Sequence, residues 1–278
     1  MLWNKKLMTV AVVAAMTAGG ADRATAEPLT EQSPINIITA DVVGDPAFKP
    51  ITFNYSSNTN LVVKNINSPN VEGTIRGIPD AGSTVTYDGF AYNLLQFHFH
   101  IDAEHEVNGY RAPMEVHFVN QLVGASGING LLVVGRFIEV SALDNPLLAS
   151  FFSGISSIPN PNDTFSLTNF DVAAIAPIGQ PVYRYTGSLT TFPYAEPVNW
   201  NVFYGTPLYL SQAQINMFSA AFPSDNSREI QALNGRTVTT AVPEIDPASF
   251  GCAIAMIVGS LALVERRRQK GFATASVA

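Results

Sequence analysis

The sequence predicts a mainly β protein, a single domain with one large, twisted, mostly antiparallel sheet and a few short peripheral helices. Three observations support this fold class. Short runs rich in β-branched and aromatic residues recur along the chain, clusters of turn-forming residues separate them, and only two segments have the spacing of an amphipathic helix. With 278 residues, 47% of them hydrophobic and 13% charged, the chain can fill one substantial core.

The predicted strands are short and end at turn signals. In the first half of the chain they cover residues 51–55, 61–65, 83–87 and 91–100. The turn clusters between them lie at 65–70, 79–82 and 88–89. Residues 130–140 (GLLVVGRFIEV) are almost continuously apolar, which indicates a central strand, and residues 198–204 predict another.

Two helices are predicted. The first covers residues 145–157, with Pro146 in its first turn. The second covers residues 211–221, where Ser211 can cap the N terminus. Its apolar residues are spaced for one buried face: Ile215, Phe218 and Ala221.

All four histidines lie between residues 96 and 120. Residues 94–100 contain no turn-forming residue and predict a strand. Because strand side chains alternate between faces, the polar residues share one face: Gln96, His98 and His100. The apolar residues share the opposite face: Leu95, Phe97 and Phe99.

A second strand is predicted at residues 114–119, after the turn signal Asn108-Gly109. One face of this strand carries Glu115, His117 and Val119. If the two strands are neighbours, three imidazoles converge on one point. Three neutral nitrogen ligands with a fourth position left open are typical of catalytic zinc sites. The sequence therefore predicts that Zn²⁺ is bound by His98, His100 and His117.

The N-terminal residues 1–26 have the pattern of a secretory signal peptide, with a buried N-terminal helix as the alternative. Lys5 and Lys6 precede an apolar stretch, and Ala24-Thr25-Ala26 fits a small-x-small cleavage site. The lone cysteine, Cys252, lies near the C terminus, so the exported domain is expected to fold without disulfides. The net charge of −7 argues against a nucleic acid partner.

Residues 242–278 resemble the C-terminal sorting signals that exosortases process: a Pro-Glu motif, an apolar helix and an arginine cluster. The motif here is Pro-Glu-Ile-Asp instead of the commoner Pro-Glu-Pro. The apolar residues 248–264 would span roughly 25 Å as a helix, short for a bilayer but workable. Basic residues after it favour a cytoplasmic C terminus. Removal by a sorting protease and permanent membrane anchoring both stay open, and both place residues 27–241 in the periplasm or cell envelope.

The exported part of the chain resembles the α-class carbonic anhydrases from residue 32 to about residue 236. The matching segments occur in the family's order and include QSPINI (32–37), LLQFHFH (94–100), AEHEVNG (103–109), MEVHFVN (114–120), YTGSLTT (185–191) and NSR…QALNGR (226–236). The resemblance implies a zinc lyase with its metal at the bottom of a cone-shaped cleft. It also implies reversible hydration of carbon dioxide to bicarbonate and a proton.

The resemblance implies a role for each matched residue. The zinc ligands are His98, His100 and His117. Gln96 orients the first ligand and Glu115 the third. The hydroxyl of Thr190 accepts a hydrogen bond from the reacting solvent molecule and donates one to Glu104.

Other matched residues form the cleft wall and its polar support. The carbon dioxide pocket consists of Val119, Val133, Leu189, Thr191 and Trp200. A buried polar network consists of His105, Tyr185 and Ser33, so His105 is expected to be structural and not a ligand.

The sequence departs from the family where a proton shuttle is expected. Family members commonly carry a cleft histidine that passes the proton to buffer, but the matching residues 64–73 contain no histidine. We therefore expect the shuttle to be absent. Proton transfer would then use water, external buffer or a distant carboxylate such as Glu72.

Two other interpretations stay open at the level of sequence. The spacing of His98, His100 and Glu104, followed by Gly109, imitates the first cupin motif, in which the glutamate is itself a metal ligand. The alternative from another class is a non-catalytic cell-surface binding module on the same fold. Loss of a zinc ligand would favour that module, yet all three histidines are present.

Overall fold

The computed structural model describes residues 30–66, 73–177, 181–222 and 226–242. The predicted signal peptide at 1–26 lies outside these ranges, as does the predicted tail beyond Val242. No helix in these ranges has the length and apolar character that crossing a membrane requires. The predicted transmembrane segment at 248–264 lies outside them.

The described elements are mostly strands. In chain order these are β1 (Asn36–Ile37), β2 (Val43–Asp45), β3 (Thr52–Asn54), β4 (Thr59–Asn65), β5 (Ile75–Pro79), β6 (Thr84–Tyr87), β7 (Phe90–His100), β8 (Glu106–Val107), β9 (Met114–Leu122), β10 (Leu131–Ser141), β11 (Thr164–Phe170), β12 (Val182–Gly187), β13 (Val198–Ser211) and β14 (Thr239–Ala241). The α-helices are α1 (Ala149–Gly154), α2 (Val172–Ile175) and α3 (Gln212–Ser219). Short 3₁₀ turns cover Thr39–Asp41 and Ile155–Ser157.

Within the described ranges, twelve strands form one sheet, and β1 pairs with β8 in a separate ribbon. The sheet runs in the order β11-β4-β5-β7-β9-β10-β13-β12-β14-β2, with β6 joining β7 to β3. β10 is parallel to β13 and β14 is parallel to β2, and the other described pairings in this sheet are antiparallel. The predicted fold class is confirmed, and the two parallel pairings make the sheet mixed.

The sheet separates two apolar clusters. The larger contains Phe97, Phe99 and Phe118 and is covered by α1 and α3, whereas the smaller contains Val133 and Trp200. Side chains of β9 alternate between the two clusters. The face of β9 that carries the predicted ligand His117 therefore points to the smaller cluster.

A register shift in β7 changes the predicted side-chain face of one residue, Leu95. The ladder with β9 slips between Leu94 and Gln96, so Leu94 and Phe97 both face the larger cluster. Leu95 lies on the histidine face, where it lines a cleft and is 41% exposed. The prediction that Leu95 shares a face with Phe97 and Phe99 is wrong, because strict alternation fails at a bulge.

The helix predicted at 145–157 is shorter than expected, since α1 begins only at Ala149. Asn145 Oδ1 accepts the N–H of Leu147 at 3.0 Å, a side-chain bond that holds residues 145–148 in a turn. The second predicted helix is confirmed as α3. Ser211 caps it through a capping box with Gln214.

The strand β5 escaped prediction because Gly77 and Pro79 disfavour a strand locally. Gly77 pairs with Phe97 across the β5–β7 ladder, and a Cβ atom built on Gly77 would overlap the Phe97 ring. That ring is fully buried and contacts the rings of Phe99 and Phe118, among others. Tertiary packing thus requires a glycine inside this strand.

We expect Gly77→Ala to destabilise the protein by about 1–3 kcal/mol, because the added methyl group overpacks the Phe97 ring. Urea unfolding should show a lower midpoint at an unchanged m-value. In a double-mutant cycle, Phe97→Leu should relieve part of the cost of Gly77→Ala. Simple additivity of the two costs would contradict this packing account.

Candidate metal centre

The antiparallel pairing of β7 with β9 builds the centre. His98 lies directly opposite His117, and His100 lies opposite Glu115. All three histidines are buried, and one ring nitrogen of each lies within 4.8 Å of the others. The predicted convergence of His98, His100 and His117 is therefore present.

Two of the three rings are oriented by acceptor oxygens that contact the ring nitrogen pointing away from the centre. Nδ1 of His98 lies 2.9 Å from Gln96 Oε1, and Nδ1 of His100 lies 2.8 Å from the carbonyl oxygen of Asn226. Because these oxygens only accept, each Nδ1 carries the proton and each Nε2 keeps a lone pair. Nε2 of His100 is buried without a hydrogen-bond partner.

The third ring is turned the other way. Nε2 of His117 lies 3.0 Å from Glu115 Oε1, outside the angle of a regular hydrogen bond. This contact places the proton on Nε2 and leaves the Nδ1 lone pair facing the centre. The set therefore offers two Nε2 atoms and one Nδ1 atom, a detail that sequence spacing does not contain.

Glu115 connects this centre to the predicted polar network. Its Oε1 accepts from His105 Nδ1 at 2.9 Å, and its Oε2 accepts the backbone N–H groups of Glu104 and His105. His105 Nε2 lies 2.6 Å from the Tyr185 hydroxyl, which lies 2.9 Å from Ser33 Oγ. The structure thus joins the residues predicted to support the site.

The network leaves no spare volume beside the Glu115 carboxylate. Gly135 on β10 pairs with His117, and a Cβ atom built on Gly135 would lie 2.5 Å from Glu115 Oε1. Glycine at this position leaves room for the carboxylate that orients the third ring.

Burial and neighbouring charges set the protonation of the rings. Burial lowers the pKa of His98 well below its ordinary value, and the adjacent imidazoles of His100 and His117 lower it further. Burial also lowers the pKa of His100. For His117, burial acts to lower the pKa, but the Glu115 carboxylate together with that of Glu104 raises the pKa above its ordinary value. Two rings are thus held neutral, whereas metal must displace a proton from the third at low pH.

Glu115 remains ionised although it is fully buried. Burial alone would raise the pKa of this carboxyl, but His105 and His117 lower it well below its ordinary value. The buried carboxylate is accordingly an acceptor for the groups around it.

Glu104 lies beside the rings without joining them. Its Oε1 accepts the backbone N–H of Arg228 at 3.0 Å, and its Oε2 is buried without a hydrogen-bond partner. Oε2 lies 3.6 Å from His117 Nδ1. The bond from Thr190 that the resemblance implies is not formed to this oxygen in the structure.

Two positioning residues lie in the matched segment 226–236, but no role was predicted for either of them from the sequence. The side chain of Asn226 accepts the N–H of Ile101 and donates to the carbonyl oxygens of Phe99 and Gly73, which fixes the carbonyl group that holds His100. Arg228 donates to Ser33 O and Gln32 Oε1, so it ties the N-terminal segment to the Glu104 region. Local pattern does not reveal these contacts, because the partners of both residues are more than a hundred positions away in the chain.

A cleft of about 360 Å³ opens onto the histidines. His98, His117 and Thr190 contribute to its wall, and so do all five residues predicted for the pocket: Val119, Val133, Leu189, Thr191 and Trp200. The Trp200 indole donates to Ser188 O at 2.9 Å, which fixes the ring in the cleft wall.

The donor set fits zinc. It consists of three imidazole nitrogens with free lone pairs, one of them a buried atom with no other partner. Among the described residues, this histidine group does not include Glu104, which the cupin interpretation requires as a ligand. A second possible group, His105, Glu115 and His117, is explained by the hydrogen bonding of the network.

Comparisons with known proteins agree with this geometry. A model of the eukaryotic-type carbonic anhydrase family matches residues 23–242. A carbonic anhydrase from Nostoc sp. is 34% identical, over 76% of this chain and 76% of that protein. A carbonic anhydrase from Neisseria gonorrhoeae is also 34% identical, over 74% of this chain and 76% of that protein.

Solved structures show the same relationship. The α-carbonic anhydrase of Thermovibrio ammonificans, in complex with the inhibitor sulfanilamide, superposes with a TM-score of 0.65 at 34% identity. The match covers 75% of this chain and 86% of that one. The Photobacterium profundum α-carbonic anhydrase gives a TM-score of 0.65 at 29% identity, over 77% and 90% of the two chains.

We expect the apparent zinc affinity to fall as the pH is lowered from about 8 to 5.5, because protons compete for the His117 nitrogen. The raised pKa of His117 places this competition above the range of a free imidazole. Competition with a chromophoric chelator at each pH measures the affinity.

Glu115→Gln removes the charge that raises the pKa of His117. In this variant the pH dependence should move to lower pH, and the affinity above pH 8 should drop by about 10–100-fold because the ring loses its carboxylate. An affinity that is independent of pH in the parent protein would contradict the assigned protonation states.

Proposed function

The chain belongs to the eukaryotic-type, or α-class, carbonic anhydrase family, whose members are enzymes that hydrate carbon dioxide, and we propose that its activity depends on zinc. We also propose that, unlike many members of the family, it uses no histidine as a proton shuttle. His98, His100 and His117 would hold the metal. The observation that carries this proposal is the buried set of three imidazoles whose ring nitrogens converge beside the cleft, where His98 and His117 form part of the wall.

Neutral ligands preserve the full charge of the metal. A zinc ion acidifies bound water so that hydroxide forms near neutral pH, the effect for which carbonic anhydrase is itself the standard example. Gln96, Glu115 and the Asn226 carbonyl group hold the rings in the orientation that this binding needs.

Apolar side chains place the substrate. Carbon dioxide carries no charge and needs no ionic partner, so a wall of Val119, Val133, Leu189 and Trp200 can hold it beside the histidines. Apolar walls also exclude water, and the lower local dielectric constant strengthens electrostatic interactions in the cleft.

Thr190 and Glu104 are proposed to orient the nucleophile. With Glu104 as the acceptor, a Thr190 hydroxyl that donates to it must in turn accept from the reacting solvent molecule. That solvent molecule then directs its lone pair at the substrate carbon. Support comes from Glu104 Oε2, a buried acceptor without a hydrogen-bond partner in the structure, and from the position of Thr190 in the cleft wall.

The proton released by the reaction must leave by another route than a histidine. The chain has four histidines, and all of them belong to the metal group or to the buried network. Among the described residues, the cleft wall contains no carboxylate. Glu72, the distant carboxylate considered above, lies outside the described ranges.

The proposed location is the periplasm or cell envelope. Its support is sequence pattern alone: a signal peptide at 1–26, an enzyme domain at 27–241 and a sorting or anchoring tail at 242–278. A sorting protease and at least transient membrane contact follow from the same pattern.

Stopped-flow measurement of carbon dioxide hydration tests zinc dependence. A strong chelator should abolish hydration, and added zinc should restore it. Thr190→Ala should lower kcat/KM by about 100-fold in the zinc-loaded protein, since the nucleophile loses its orientation.

Thr186→Ala is the matched control for this variant. Thr186 lies in the same segment, but its side chain is exposed and outside the cleft wall. Hydration that survives complete removal of the metal would refute zinc dependence, and equal losses in the two variants would refute the role of Thr190.

The missing shuttle predicts strong dependence on buffer. We expect kcat for hydration to rise with the concentration of an imidazole-type buffer, while kcat/KM stays constant because that ratio does not include the external proton transfer. A high kcat at vanishing buffer concentration would show that an internal group carries the proton.

A further inference from the structure

Arg76 places a positive charge in the wall of the cleft. Its Cα pairs with that of His98 across the β5–β7 ladder, so its side chain shares the face of the metal group. The side chain lines the same cavity as His98, His117 and Thr190. None of the roles derived above uses this residue.

The guanidinium group of Arg76 has no protein partner among the described residues. Its Nε atom is buried without a hydrogen bond, and no carboxylate lies within ion-pair distance in the described ranges. Two arginines that are more deeply buried, Arg136 and Arg184, differ in this respect. Arg136 donates to carbonyl oxygens, and Arg184 donates to Asn201 and contacts Asp88.

The surroundings do not neutralise this charge. The described cleft wall contains no acidic residue, and neither Glu104 nor Glu115 lies within ion-pair distance of Arg76. Burial lowers the pKa of Arg76 from its ordinary value, yet a guanidinium group stays protonated in proteins. A partly buried cation without a partner is costly unless an anion enters the cleft.

We propose that Arg76 is an anion-binding residue that holds bicarbonate beside the metal group. The inference rests on the proposed function, because bicarbonate is the anionic member of that reaction. Carbon dioxide, being neutral, gains little from the charge. The planar fork of guanidinium N–H groups matches the oxygens of a planar monovalent anion.

Arg76 would stabilise bound bicarbonate but not bound carbon dioxide. It stabilises the state in which bicarbonate is bound and leaves the carbon dioxide pocket unchanged. The protein should therefore bind bicarbonate, and other planar anions such as nitrate, more tightly than an apolar wall would allow.

Anion affinity can be measured without turnover. The visible absorption of cobalt(II)-substituted protein is titrated with bicarbonate and, separately, with nitrate, at constant pH and ionic strength. We expect Arg76→Gln to raise the Kd of both anions by roughly tenfold, the loss expected for one charge-assisted hydrogen bond. Arg76→Lys, which keeps the charge but loses the fork, should raise Kd by a smaller factor.

Arg111→Gln is the matched control. It removes the same charge from a partly exposed ion pair with Glu106 and lies outside the cleft wall. Its Kd values should equal those of the parent protein. Unchanged affinity in Arg76→Gln, or an equal shift in Arg111→Gln, would overturn the proposal. If Arg76→Gln does not fold, an unchanged Kd in Arg76→Lys would overturn it instead.

The outcome is separable from the proposed function. A parent protein that fails to hydrate carbon dioxide, but shows anion binding dependent on Arg76, would refute the function and leave the anion site standing. Normal zinc-dependent hydration together with anion binding independent of Arg76 would refute only the anion site.

Discussion

The site depends on one constraint, the burial of three imidazoles whose outer nitrogens each lie within about 3 Å of an acceptor oxygen. Pairing of β7 with β9 brings His98 opposite His117, but it does not by itself decide which lone pairs converge. The orientation of the lone pairs is set by Gln96, the Asn226 carbonyl group and Glu115, whose oxygens contact the proton-bearing nitrogens. The inner nitrogens are left for a metal because the outer ones are already occupied.

The fold stabilises this arrangement from both faces of the sheet. On one face, aromatic rings pack around Phe97, which requires Gly77 on the neighbouring strand. On the other face, the polar network from Ser33 to Glu115 is enclosed by the smaller apolar cluster. Gly77 and Gly135 both provide space for a neighbouring side chain, an aromatic ring in one case and a carboxylate in the other.

Local patterns in the sequence were sufficient to predict the fold class and the convergence of the histidines. Strand alternation identifies His98, His100 and His117, because these residues lie close together in the chain. It fails for Leu95, since a bulge depends on the partner strand. No role could be predicted for Asn226, Arg228 or Arg76, because their importance arises from contacts with distant segments. The choice of Nδ1 or Nε2 likewise depends on partners that only the folded chain supplies.

The central claim is that these three histidines bind one zinc ion and leave one position open to solvent. X-ray absorption at the zinc edge on the purified, metal-replete protein tests it most directly. The account predicts one zinc ion per chain, with three imidazole nitrogens at about 2.0–2.1 Å and one oxygen ligand. Failure of the purified protein to bind zinc, or a spectrum with fewer than three imidazole ligands, would contradict this claim.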